Sequence, residues 1–266
     1  SIESNTGLIR TMITSKNPSI NEYNRVTSSV RPLGSTFKII PYAAALIEGT
    51  KLRTKFNDLP TCWKNYCPKN FSEEYRGSIS LIESFKNSSN IVPISITKKI
   101  GLKNIINLAN SFGLGNEQKL DEYLSLAIGS YGDNLLNITN AYSAINNNGK
   151  IQSPSILEKI ESFNNQSIWE NKFMSKKILD LNVNKKMKKL LEKSVREGTS
   201  RAAFIKGKKI YGKTGTSDGN KDLWFIGSLD NLTTGIWIGY DDNKESELSS
   251  GNAAYLWKKF IAEIYK

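Results

Sequence analysis

The chain has 266 residues, 38% of them hydrophobic, a mean hydropathy of -0.41, and 37 Lys+Arg against 25 Asp+Glu, for a net charge of +12. That length can bury one substantial core or two closely packed lobes, and no apolar run approaches the roughly 18 to 20 residues that span a bilayer. The absence of histidine excludes Ser-His-Asp and Cys-His catalysis within the chain, and the two cysteines cannot by themselves make a four-ligand zinc site.

No signal peptide opens the chain; Ser1 leads almost at once into "TGLIRTMITS", so a piece of a longer protein is expected. That segment and "NEYNRVTSSV" read as two strands joined by a turn at Asn17-Pro18-Ser19. "STFKIIPYAAALIEG" predicts a helix that Pro41 bends or delays and Gly49 ends. Residues 51–77 read as irregular. Within them, Cys62 and Cys67 in "PTCWKNYCPKN" are either a short disulfide loop or two free thiols.

From 78 to 148 helical patterns dominate, in "SLIESFKNSSNIVPISITKKIG", "LKNIINLANSFG" and "NLLNITNAYSAINNNG". "SPSILEKIESF" and "QSIWENKF" predict a hairpin around Asn164-Asn165. "NKKMKKLLEKSVREG" predicts an amphipathic helix with Met187, Leu190, Leu191 and Val195 inward and lysines outward, ending at Gly198. Three strands follow, in "KKIYGKTGTS", "DLWFIGSLD" and "TTGIWIGYDD", and "GNAAYLWKKFIAEIYK" closes the chain as a helix. The fold class is α/β of the α+β type: an antiparallel sheet covered by helices, plus an all-helical lobe, with a cleft between lobes as the expected site. Residues 1–34 and 149–266 are assigned to the sheet lobe and 35–148 to the mainly helical lobe. The basic residues do not form one block interleaved with aromatics, so no nucleic-acid partner is expected.

Three short stretches carry candidate chemistry. In Ser35-Thr36-Phe37-Lys38 the hydroxyl and the amine sit three apart at the start of a helix, on one face, where exposed backbone N–H groups favour negative charge. Ser88-Ser89-Asn90 falls between two helical patterns. In Lys213-Thr214-Gly215-Thr216, Lys213 and Gly215 point the same way on a strand, and the missing side chain of Gly215 is expected to leave an open slot beside the amine. Taken singly, these read as an N-cap, a polar loop and a solvated turn. Without histidine, a serine nucleophile must give its proton to a carboxylate or to a lysine of depressed pKa.

Taken in this order, Ser-x-x-Lys, Ser-x-Asn and Lys-Thr-Gly resemble the motif set of penicillin-binding proteins and serine β-lactamases. "RPLGSTFK", "SSNIVP", "AYSAINNNGKIQSP", "GTSRAA", "GKTGTSDGNKDLWFIG" and "GIWIGYDD" are similar to the transpeptidase domain of class A (bifunctional) penicillin-binding proteins. Residues 51–77, with both cysteines, are the least familiar stretch.

The resemblance implies Ser35 as the nucleophile on a D-Ala-D-Ala peptide bond, Lys38 as its base, and Ser88 as the relay of the proton to the leaving amine. Asn90 would bind the substrate amide and steady Lys38. Lys213, Thr214 and Thr216 would receive the terminal carboxylate beside Gly215, and the backbone N–H groups of Ser35 and Thr216 would form an oxyanion hole. A neutral Lys38 needs its pKa to fall by about 3 units, roughly 4 kcal/mol, to which burial and the Lys213 cation both contribute. The implied partners are peptidoglycan stem peptides as donor and acceptor, with β-lactams bonded covalently to Ser35; no metal or organic cofactor is implied. The family also implies a membrane anchor and a glycosyltransferase domain outside these residues, and a place on the outer face of the bacterial cytoplasmic membrane.

Related chemistries are a D,D-carboxypeptidase, a β-lactam sensor or scaffold, and a β-lactamase. The last needs a base aimed at water; Glu161 and Asn165 have a suitable spacing but fall at the expected hairpin tip.

Overall fold

The computed structural model describes residues 1–15, 23–115, 120 and 123–266. The chain opens with β1 (Ile2–Glu3) and β2 (Arg31–Pro32), followed by a 3-10 turn over Gly34–Thr36 and α1 (Ile39–Ile47). β3 (Lys55–Asp58) and β4 (Gly77–Ser80) then bracket a loop, and α2 (Leu81–Lys86), α3 (Ile91–Ile100) and α4 (Leu102–Ser111) form the helical block. β5 (Gly132–Asp133) leads into α5 (Leu135–Asn146), β6 (Lys150–Gln152), β7 (Lys159–Glu161), β8 (Ser167–Glu170) and β9 (Ser175–Lys177). The long α6 (Leu181–Glu197) precedes β10 (Ile210–Thr216), β11 (Asp222–Leu229), β12 (Leu232–Gly239) and the closing α7 (Ser250–Ile264).

The main sheet is antiparallel in the order β1-β12-β11-β10, which joins the two ends of the chain as expected. Strand alternation divides its apolar residues between two cores. Trp224 and Ile226 enter the larger core, with Phe37, Ile40, Tyr142 and Leu190. Phe225 and Leu229 face the other way, against Ala254, Trp257 and Ile261 of α7. β10 is an edge strand, so one side of its backbone is free for other partners.

The N-terminal strands differ from expectation. Gly7 adopts a left-handed φ of 80° in a tight turn, with Glu3 N–H donating to Leu8 O at 2.9 Å, and a Cβ there would lie 2.6 Å from Ser153 O. Pairing in 6–15 is therefore limited to single bridges, Ile9 with Ile2 and Leu8 with Ser155. Residues 23–30 are turns rather than a strand, and the expected turn at Asn17-Pro18-Ser19 lies outside the described residues. The first apolar helix starts late, as Pro41 predicts. The stretch 51–77 is not all irregular, because β3 pairs with β4 from Lys55–Ser80 to Asp58–Gly77. Cys62 and Cys67 form a disulfide that closes a turn held by reciprocal Trp63–Tyr66 backbone bonds.

Candidate active site

The Ser35 turn is held from three sides. Leu33 N–H donates to Tyr131 O at 3.0 Å and Gly34 N–H to Gly129 O at 2.9 Å; Tyr142 OH on α5 donates to Thr36 O at 2.8 Å and Trp224 Nε1 to Pro32 O at 2.9 Å. Gly34 has φ 51°, and a Cβ on it would lie 2.4 Å from Thr216 O. The turn thus touches the free edge of β10. A half-buried Ser35 is left there, its backbone N–H without an acceptor among the described residues.

Ser88 follows α2 as the left-handed residue of a Schellman cap: Ser88 N–H donates to Phe85 O at 3.0 Å and Ser89 N–H to Ser84 O at 2.9 Å. With φ 57° it occupies a position usually given to glycine. The cap turns its hydroxyl between two amines, with Lys213 Nζ at 2.9 Å and Lys38 Nζ at 3.3 Å. Lys38 Nζ also donates to Ser88 O at 2.8 Å and Asn90 Oδ1 at 2.6 Å. Lys213 Nζ donates further to Thr214 O at 3.1 Å and Thr199 Oγ1 at 3.4 Å.

Both lysines are fully buried, at 0% exposure. Burial, and secondarily the Lys213 charge, holds the Lys38 pKa well below the usual lysine range, against a smaller opposing pull from Asp58. Burial lowers Lys213 to about 7. An uncharged Lys38 has two N–H groups, which Ser88 O and Asn90 Oδ1 accept, so its lone pair faces the Ser88 hydroxyl at 3.3 Å, along the path of a proton relay.

The structure thus gathers Ser88, Asn90, Lys38 and Lys213 around two amines and sets Ser35 at the adjoining strand edge. Two expectations change. The Lys38 amine turns toward Ser88 and Asn90, and among the described residues it makes no hydrogen bond to Ser35 Oγ. The slot beside Lys213 is filled: a Cβ on Gly215 would lie 2.7 Å from Thr36 Cγ2 and 2.8 Å from Leu33 O. Gly215 lets the serine turn approach the strand. Thr214 N–H donates outward to Ser200 Oγ at 3.0 Å, so by alternation Thr216 N–H faces the same free edge. Thr214 Oγ1 is engaged by Thr199 Oγ1 at 3.1 Å. A cleft of about 610 Å³ adjoins the turn, lined by Gly34, Thr216, Asp218, Lys221 and Tyr66.

Asp58, Lys69 and Asn70 had no distinguishing sequence signal, whereas Thr199 and Ser200 lie in the "GTSRAA" stretch, with no role given to them there. Asp58, 1% exposed, accepts from Ser89 Oγ at 2.6 Å, Asn70 Nδ2 at 3.0 Å and Arg76 N–H at 3.1 Å. Asn70 Oδ1 accepts Asn90 N–H at 2.8 Å, and Lys69 O accepts Asn90 Nδ2 at 2.6 Å. The disulfide-bearing loop thereby fixes Asn90. Thr199 and Ser200, just after α6, brace the other strand of the site. By contrast, Glu161 lies on an exposed hairpin strand, where it accepts from Lys159 Nζ at 2.8 Å.

Residues 2–255 match the family model described as the penicillin binding protein transpeptidase domain. Penicillin-binding protein 1A of Rickettsia prowazekii is 32% identical over 256 residues, which cover 85% of this chain and 32% of that protein. Its counterpart from Aquifex aeolicus is 30% identical, over 92% of this chain and 34% of that protein. The chain spans about a third of the length of these curated relatives. The crystal structure of penicillin-binding protein 1A from Haemophilus influenzae superposes with a TM-score of 0.89 at 22% identity, covering 100% of this chain and 47% of that one. PonA1 from Mycobacterium tuberculosis superposes at 0.90 and 21% identity, over 100% and 76%. Another neighbour, penicillin-binding protein A from M. tuberculosis as an imipenem acyl-enzyme complex, gives 0.80 at 20% identity, over 94% and 64%.

Proposed function

The chain belongs to the penicillin-binding protein transpeptidase family, and from that premise we propose that it is a serine D,D-transpeptidase that cross-links peptidoglycan stem peptides through an ester on Ser35. The observation that carries this reading is the Ser88 hydroxyl between two buried amines, beside a turn that presents Ser35 to a free strand edge.

Lys38, uncharged, takes the Ser35 proton as Oγ bonds to the carbonyl carbon of the penultimate D-alanine. This requires the amine to swing from its resting partners toward Ser35, a tightening common on substrate binding. The developing oxyanion meets the N–H groups of Ser35 and Thr216, where one lost donor typically costs about 10² to 10³ in kcat. Ser88 passes the proton to the departing nitrogen, the C–N bond breaks, and D-alanine leaves with its carboxylate held by Lys213 and Thr216. An acceptor amine then attacks the ester, gives its proton back along the same path, and frees Ser35 as the new amide forms.

The acyl-enzyme of the M. tuberculosis neighbour supports β-lactam acylation here as well. Family membership supports a location at the outer face of the cytoplasmic membrane, with the anchor and the glycosyltransferase part belonging to the longer protein. The position of Glu161 on an exposed hairpin argues against a deacylating base of the β-lactamase kind.

Intact mass after benzylpenicillin is the direct test. One stoichiometric adduct is expected on the parent and none on Ser35→Ala; an adduct that persists on the variant overturns the nucleophile. Turnover of a stem peptide with an acceptor amine separates an enzyme from a sensor, which would acylate without turning over.

A further inference from the structure

A second concavity, of about 590 Å³, runs along α6 and shares no residue with the candidate active site. Lys185, Lys186 and Lys189 of α6, Lys51 and Arg53 beyond α1, and Lys209 before β10 line it. Its floor is Lys188 and Tyr211: the Lys188 amine lies 5.3 Å from the ring centroid and donates to Asn146 O at 2.9 Å. Periodicity alone accounts for lysines on the outer face of α6, but not for Lys51, Arg53 and Lys209 arriving from distant parts of the chain to face them.

These seven cations have no carboxylate within ion-pair distance among the described residues. The one acid on the wall, Glu192, is held by Arg196 at 3.5 Å. Elsewhere the chain provides lysines with acids, including Lys193 with Glu197 farther along the same helix and Lys69 with Glu73 on a loop. Acids are thus withheld from this groove. Like charges gathered around one concavity raise the local concentration of anions and their rate of arrival.

The lining also indicates the shape of the partner. Six of the seven cations are lysines, compact point charges without the planar fork that selects a single bidentate anion, and they are spread around more space than one phosphate fills. A bilayer-binding face would push apolar side chains beyond its charges. Here the apolar lining, Leu52 and Tyr211, is half-buried beneath them.

We propose that the α6 groove binds a flexible linear polyanion, with successive phosphate groups paired to lysines on its two walls.

Fluorescently labelled inorganic polyphosphate, titrated by anisotropy against the whole chain in about 150 mM salt, tests this. The groove variant Lys185→Glu/Lys189→Glu/Lys209→Glu is compared with Lys103→Glu/Lys172→Glu/Lys176→Glu, which removes the same charge from exposed positions elsewhere. Far-UV circular dichroism verifies that both are folded, and single substitutions replace any triple that is not. The groove variant is expected to bind at least about tenfold more weakly, while the control stays near the parent, and parent binding should fall steeply as salt rises. Equal losses in both triples would mean that only net charge matters and would overturn the site. So would absence of polyphosphate binding, whether or not the chain then binds vesicles of phosphatidylglycerol.

Discussion

Ser88 adopts a glycine's backbone, and its hydroxyl explains why a glycine would not serve. The left-handed cap after α2 aims Oγ between Lys38 and Lys213, at 3.3 and 2.9 Å. Ser88→Gly should relax the backbone but takes an acceptor from two buried amines, a cost of about 1 to 3 kcal/mol that leaves stability equal or lower, while acylation by a fluorescent penicillin slows by about 10²-fold or more. A thermal melt and stopped-flow acylation check both halves, and parent-like acylation would remove Ser88 from the proton path. Asp58 acts one contact farther out, through Ser89 and through Asn70 on Asn90, and its charge raises the Lys38 pKa. With Asp58→Asn, the acid limb of the pH profile of acylation should move to lower pH, because Lys38 then loses its proton more readily. A purely structural role would cut the rate and leave that limb in place. The motif residues themselves were legible in the sequence because the three stretches occur together and in the order of a known motif set; singly, each reads as an ordinary cap, loop or turn. Asp58 and Asn70 were not, since a buried carboxylate and amide in a polar loop look, in sequence, like any solvated pair.

At the level of elements, the site is a meeting of a turn, a cap and a strand edge, and close approach decides its geometry. Helices were legible wherever an apolar face repeats, as in α5 and α6, and the hairpin of β7 and β8 was legible from its Asn164-Asn165 turn. The N-terminal strands were misread because alternation in 6–15 looks the same whether a partner strand lies alongside or, as here, Gly7 has already turned the chain away. The loop after α1 concealed β3 and β4, strands too short to show a period. Gly215 was read correctly as a required absence of side chain but for the wrong neighbour, since sequence cannot show what approaches a glycine from another segment. That reading has a direct test. Gly215→Ala places a Cβ at 2.7 to 2.8 Å from Thr36 Cγ2 and Leu33 O, the latter a backbone atom that cannot rotate away. A loss of about 1 to 3 kcal/mol is expected, seen as a lower midpoint in urea, with acylation slowed because the Ser35 turn is pushed off the edge of β10. An alanine variant of unchanged stability and rate would restore the open slot.

For the whole molecule, two buried amines in one core link catalysis to folding. Lys213 titrates at about 7 in the native state against 10.5 when unconstrained. Below pH 7 both states carry the proton and the destabilisation is complete. Between 7 and 10.5 the native protein has released its proton while the unfolded chain keeps it, so stability rises with pH across that window; above it the contribution is zero. At pH 7 the cost is roughly 4 kcal/mol, and Lys38, lowered in the same direction, adds to it. Lys213→Met keeps most of the volume and removes the charge. The variant should be more stable than the parent at pH 7, by less than that figure because Ser88 Oγ and Thr214 O lose a donor. A gain of 1 kcal/mol would raise Tm by about 2 to 4 °C in a chain near this size. The gain should shrink as pH approaches 10, while acylation is slow because the substrate carboxylate has lost the Lys213 amine, which carries its proton below about pH 7 and takes one up with the bound carboxylate above it. Melts of parent and variant between pH 6 and 10, in steps of about half a unit, are the measurement. A parent more stable than Lys213→Met at neutral pH would mean that Lys213 is held as a stabilising cation, and that burial is not what sets its proton affinity.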